Sequence, residues 1–234
     1  KKMSIYEVFM DYCPDTWYDE FLPLCGEIKF ISHILNKRVK LNKIKITPPV
    51  EDIFSIFHLV PFNKIKCIII GQDPYYTPKL AQGIAFSVPF GHPIPPSLKN
   101  IYKEMENDDI EFESPDHGCL IELCEKGLFL INTQFTTDEG TALAHPSIWD
   151  GVTYRLMRGV CEKNPKIPII AWGIPAQKFA KIISKKNEII EGSHPSPRNA
   201  NKGGFFGGKY FSKANAILIK NGLEPMDWTI SNHY

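Results

Sequence analysis

Four short apolar runs punctuate the chain: Cys67–Ile70, Leu128–Ile131, Ile167–Trp172 and Glu188–Glu191. Each is rich in Ile or other strand-forming residues and ends at a turn-forming or polar position, which is the signature of a short buried strand. Gly71 stops the first, Asn132 the second and Gly173 the third. Helical spacing fills the intervals. Ser97 lies at or beside a helix start that continues over Lys99–Glu106. Val152, Leu156 and Val160 mark a second helix, led into by His145–Asp150, and Phe179, Ile182 and Ile183 form the expected inward face of a third, with Pro175 suited to its first turn. A closing helix is expected from Ser212, as N-cap, to Gly222, as the glycine beyond its end. Strand and helix in alternation with short connections predict a parallel sheet with right-handed crossovers, hence an α/β fold.

The first 47 residues have a different texture and predict an N-terminal helical layer. Trp17, Phe21, Leu24, Ile28 and Ile31 recur at helical spacing behind Asp15 or Thr16 as caps. Pro23 lies inside that pattern, so a kink or two shorter helices are expected. The lysines from Lys37 to Lys45 read as a solvated connector, with a DNA-facing patch as the alternative, and Thr47-Pro48-Pro49 as a break before a short helix over Asp52–Leu59 with Ile53, Phe54 and Phe57 inward.

Composition narrows the class. A length of 234 residues, 43% hydrophobic and 23% charged, fits one globular domain: a helical layer over 1–47 and an α/β core over 48–234. No apolar run is long enough for a membrane span or, at the start KKMSIYEVFM, for a signal peptide. The chain begins at Lys1 rather than Met and is expected to be a fragment or a processed form. Six cysteines show no metal spacing and read as free thiols in a reducing compartment. The net charge of +1 is a weak nucleic-acid signal.

Chemistry collects where the strands stop. Gly71 is followed by Gln72-Asp73-Pro74-Tyr75, and Pro74 stiffens the loop that carries the Asp73 carboxylate. Asn132, Gly173 and His194 end or follow the other runs. In an open parallel sheet these positions meet at one edge, where such folds place their ligands.

Several motifs, in order, resemble family 1 uracil-DNA glycosylases: GQDPY, GIAFS, PPSL, LFLIN, HPSP, GFFG and a terminal segment like PIDW, spanning about Pro48 to Trp228. The resemblance implies a four-stranded parallel sheet with helices on both sides, and hydrolysis of the uracil–deoxyribose bond in single- and double-stranded DNA for base excision repair. It assigns Asp73 to the attacking water and His194 to uracil O2. Phe86 becomes a stacking platform, Asn132 a reader of the N3–H and O4 edge, Tyr75 a block to the thymine methyl, and Gln72 part of the uracil site. Ser97, Gly173 and Ser196 become phosphate contacts, His145 and Trp149 structural supports. It implies no metal or cofactor, and as partners uracil-containing DNA, uracil as product, and repair or replication proteins. A monomer in an intracellular, DNA-containing compartment is expected, with no membrane contact.

Two departures stand out. The family places Ser after Gly173, where this chain has Ile174, so a side-chain phosphate contact is lost while backbone N–H groups remain. The family's Leu after HPSP, which enters the base stack, is Arg198 here, in a loop one residue longer. Two other classes compete: a nucleotide-binding module, which lacks the GxxxxGK[ST] and GxGxxG patterns, and a DNA-binding scaffold without catalysis, against which intact Asp73 and His194 argue.

Overall fold

The computed structural model describes residues 4–232. Helix α1 (Ile5–Tyr12) opens the expected N-terminal layer and starts on a reciprocal cap: Ser4 Oγ accepts from the Glu7 N–H and the Glu7 carboxylate accepts from the Ser4 N–H. Pro23 divides the following apolar pattern as expected, into α2 (Tyr18–Phe21), a tight turn over Leu22–Leu24, and α3 (Cys25–Asn42). Neither Asp15 nor Thr16 caps a helix; Thr16 Oγ1 accepts from the Phe62 N–H instead. The lysine-rich stretch also differs from expectation, because α3 stays helical to Asn42. Its last turns are held by Arg38, which pairs with Asp138 at 2.6 Å, and Lys43 in the left-handed region ends it.

After β1 (Ile46–Thr47) come α4 (Ser55–Leu59), β2 (Cys67–Gly71), α5 (Pro96–Glu106), α6 (Ile121–Glu125), β3 (Leu128–Asn132) and β4 (Thr137–Asp138). Then follow α7 (Asp150–Lys163), β5 (Ile169–Trp172), α8 (Ile174–Ile183), β6 (Ile189–Gly192), α9 (Pro197–Ala200) and α10 (Tyr210–Lys220). The four expected strands form one parallel sheet in the order β3-β2-β5-β6. The chain steps from β2 to β3 and then crosses back to β5, so right-handed crossovers place α5 and α6 on one face and α7 and α8 on the other.

Alternation along the strands supplies both faces. On one, Ile69, Leu130 and Trp172 meet Ile101, Met105 and Leu123. On the other, Phe129 stacks on Trp17 of the N-terminal layer, centroids 5.3 Å apart, and meets Phe57 edge-on. The N-terminal helices therefore share the sheet's apolar core.

Two helix details depart from the sequence expectation. Ile182 is 60% exposed, and α8 turns Ala176, Ala180 and Ile183 inward, the set that a 3.6-residue repeat aligns. Helix α10 begins at Tyr210, not after Ser212, because Asp108 at the end of α5 accepts from the Phe211 and Ser212 N–H groups at 2.9 and 3.0 Å. A carboxylate distant in sequence thus does the capping. Its far end is as expected: Gly222 has a positive φ, and the Leu223 N–H donates to Leu218 O.

Candidate active site

The carboxyl edge of the sheet gathers the expected residues. A cavity of about 310 Å³ is lined by Gln72, Asp73, Tyr75, Phe86, Ser97, Asn132 and His194, together with Tyr76, Ala81, Ile84 and Ala142. In the β2–β3 register Gly71 lies beside Asn132. A Cβ at Gly71 would collide with Asn132 Oδ1, so this glycine lets the amide lie across the end of β2. The Gln72 carbonyl accepts from the Gln134 N–H at 2.9 Å and from Thr133 Oγ1 at 3.0 Å, which ties the Asp73 loop to the end of β3.

Asp73 is half-buried, and its Oδ2 accepts from the Leu143 N–H at 2.8 Å. Burial raises its pKa above the ordinary carboxylate value, opposed by that N–H and by its own backbone N–H. Tyr75 donates its hydroxyl to the Phe86 carbonyl at 2.9 Å, which fixes the tyrosine ring at the wall. Phe86 takes a positive φ, and its ring lies 6.3 Å from that of His194.

The His194 loop is pinned from two sides. Asn100 of α5 donates to the Pro195 carbonyl at 2.8 Å, and the Ser196 N–H donates to His194 Nδ1 at 3.0 Å. A nitrogen that accepts from a backbone N–H carries no proton, so the neutral ring is protonated on Nε2. Burial lowers the His194 pKa, which keeps the ring neutral at neutral pH.

A groove of about 770 Å³ adjoins the cavity, sharing Gln72 and His194 with it and running past Gly173, Ile174, Ser196, Asn199 and Lys202. Gly173, with φ 87°, does not offer its own N–H, which donates to the Gly192 carbonyl at 2.8 Å. The sequence expectation of backbone donors there shifts to Ile174 and Ala176, first-turn positions of α8 with no intrahelical acceptor. Ile174 is 66% exposed at this spot. Ser97 is the second residue of α5, and Pro95 holds the cap position. Arg198 is exposed on α9 and lines neither the cavity nor the groove.

His145 and Trp149 lie behind the site. Trp149 Nε1 donates to Thr136 Oγ1 at 2.8 Å, the Thr136 hydroxyl donates to His145 Nδ1, and His145 Nε2 donates to Asp138 at 2.8 Å. Burial lowers the His145 pKa against the opposing pull of Asp138. Burial would raise the Asp138 pKa, but Arg38 and His145 outweigh it and hold that carboxyl low. The network joins β1, paired antiparallel to β4, to the loop bearing Leu143.

Several of these participants were missed by sequence reasoning. Leu143 supplies the donor to Asp73 from a loop with no recognisable pattern, and Gln177 and Asn199 line the groove through tertiary placement alone.

Comparison with known proteins agrees with this geometry. The family model for the uracil DNA glycosylase superfamily matches residues 57–219. A uracil-DNA glycosylase of Photorhabdus laumondii is 38% identical over 223 residues, covering 92% of this chain and 96% of that protein. One from Neisseria meningitidis serogroup C is 40% identical over 222 residues, covering 92% and 100%. Among solved structures, mimivirus uracil-DNA glycosylase superposes with a TM-score of 0.83 at 27% identity, covering 98% of this chain and 90% of that one.

Proposed function

The chain belongs to the uracil-DNA glycosylase superfamily and excises uracil from DNA, and on that premise we propose that the cavity between Asp73, Phe86, Asn132 and His194 holds the extruded base while its glycosidic bond is hydrolysed. The observation that carries this assignment is the joint lining of one cavity by these four side chains, with the His194 proton assigned to Nε2 by the Ser196 N–H. A base in duplex DNA is unreachable until it leaves the stack. Phe86 offers a flat face to it, and Asn132 offers a donor and an acceptor that suit the N3–H and O4 edge of uracil. Tyr75, braced on the Phe86 carbonyl, occupies the space a thymine methyl would need.

The chemistry follows from the two titratable groups. With Oδ2 held by the Leu143 N–H, Asp73 has Oδ1 available to orient water and to favour positive charge on the sugar in an oxocarbenium-like transition state. As the bond breaks, negative charge moves onto uracil, and His194 Nε2–H donates to O2 where that charge grows. Neutral imidazole suits this task, since a donor already aimed at the developing anion needs no proton transfer. Ser97, Ser196 and the first turn of α8 bind phosphates along the groove, Gly173 shapes the groove wall, and Gln72 bridges groove and cavity. Arg198 stacks into the gap left by the base. The working unit is a monomer, in an intracellular compartment that holds DNA, and repair or replication proteins act beside it.

The test is release of uracil from a single-stranded and a duplex oligonucleotide, in the presence of excess EDTA. Asp73→Asn and His194→Leu should each lower turnover by about 10²–10³-fold, within the range of general base and oxyanion contributions, while binding of abasic DNA persists. Near-normal turnover by either variant would remove that residue from the mechanism.

A further inference from the structure

A second hollow, about 370 Å³, opens between α1 and α4, with a floor of Val8, Phe9, Phe21, Phe54 and Phe57. It shares no lining residue with the reaction cavity, and its volume lies in the range of small-ligand sites, about 300–1,000 Å³. Its lining includes Tyr12 and one charged side chain, Glu51. Tyr12 is 59% exposed, and Met10, Tyr18 and Leu22 of the same segment are also exposed. Glu51 lines the opening, while Asp11 and Asp15 adjoin the lining residues Tyr12 and Pro14.

The charge around it is one-sided. Residues 4–28 contain six acidic residues and neither Lys nor Arg. Two of the six, Glu20 and Glu27, are neutralised by Lys163 and Arg155 of α7. Asp11, Asp15 and Glu51 form no ion pair among the described residues. The other polar lining groups add no compensating charge: burial lowers the His58 pKa and pushes the Cys13 thiol up to about 11.

We propose that this hollow docks a short basic segment of a partner protein, one that inserts an aromatic or branched aliphatic side chain and flanks it with Lys or Arg. The apolar floor supplies burial for the inserted side chain, and the unpaired carboxylates supply complementarity and orientation. Nucleic acid is the wrong occupant, because the one charged lining group is the Glu51 carboxylate, and Asp11 and Asp15, exposed next to lining residues in the chain, add negative charge nearby. The site is independent of the reaction cavity, so its failure leaves the glycosylase assignment untouched.

The probe is N-acetyl-Lys-Phe-Leu-Lys-amide, titrated into the ¹⁵N-labelled full chain, with the Glu-Phe-Leu-Glu peptide as control. The expected result is saturable shifts of the Val8, Tyr12 and Phe54 amides, with a Kd of about 1 mM or tighter, weakening with salt and absent for the acidic peptide. Glu51→Lys changes an exposed side chain and should weaken binding about fivefold, the size of one exposed charge contact, with uracil release unchanged. Absence of saturable shifts, equal binding of the acidic peptide, or shifts of the same amides by a uracil-free duplex would each overturn the proposal. Concentration-dependent self-association that produces those shifts without peptide would also overturn it, in favour of a second copy as occupant.

Discussion

At the scale of the residue, local geometry decides what Asp73 can do. Its carboxyl is half-buried, and burial raises its pKa. A carboxyl whose pKa is higher folded than unfolded favours the fold while neutral, below the unfolded value near 3.9. That contribution is lost as pH rises through the folded value. Asp73→Asn should therefore raise Tm at pH 7, with the difference shrinking toward pH 3. A calorimetric pH series checks this, and a gap that widens on acidification contradicts it. Arg198 is governed by a different balance. A guanidinium stacks on bases and attracts phosphate, where an aliphatic wedge only fills space. Arg198→Ala should slow excision from duplex DNA about tenfold more than from single strands, since only a duplex has a stack to hold open. It should also reduce the salt dependence of binding by about one ion. Arg198→Leu should restore duplex turnover without restoring the salt slope; parallel assays on both substrates distinguish a wedge from a plain surface charge.

At the scale of the element, the strand ends set the site and the helices hold it in register. Gly71 and Asn132 are partners across β2 and β3, and the amide occupies the space where a Cβ on Gly71 would be. Gly71→Ala should displace Asn132 and weaken uracil as a product inhibitor about tenfold or more, the cost of losing a buried paired contact, with the fold intact. Equal inhibition of variant and parent would mean that Asn132 does not read the base. Helix α5 braces the same edge: Asn100 holds the Pro195 carbonyl, and Glu104 accepts from the Gly207 and Lys209 N–H groups at 2.8 and 2.9 Å. One helix thus carries Ser97 into the cavity and fixes two loops beyond it.

At the scale of the whole molecule, the net charge of +1 leaves DNA attraction to local placement, and pH acts through Asp73 and His194, the two half-buried groups proposed for the chemistry. The raised Asp73 pKa means that turnover should fall on the acid side at a higher pH than an ordinary carboxylate would give, and the lowered His194 pKa keeps that ring neutral to a lower pH than an ordinary imidazole. A pH profile of single-turnover excision checks this, and the acid limb should disappear in Asp73→Asn. The positions of the four strands, and the convergence of Asp73, Asn132 and His194 on one edge, were legible in sequence because apolar runs and their terminators are local signals, and a parallel sheet brings its carboxyl ends together. Helix ends were less legible: Asp108 caps α10, and Arg38 holds α3 through Asp138, partners that no window of neighbouring residues contains. The Leu143 N–H on Asp73 and the commitment of the Gly173 N–H to Gly192 were likewise decided by tertiary structure. Residue types and their order determined which groups stand at the sheet edge. Only the folded chain decided which backbone donors are already spent on one another and which remain for water, base and phosphate, because a hydrogen bond depends on distance and direction that sequence separation does not encode.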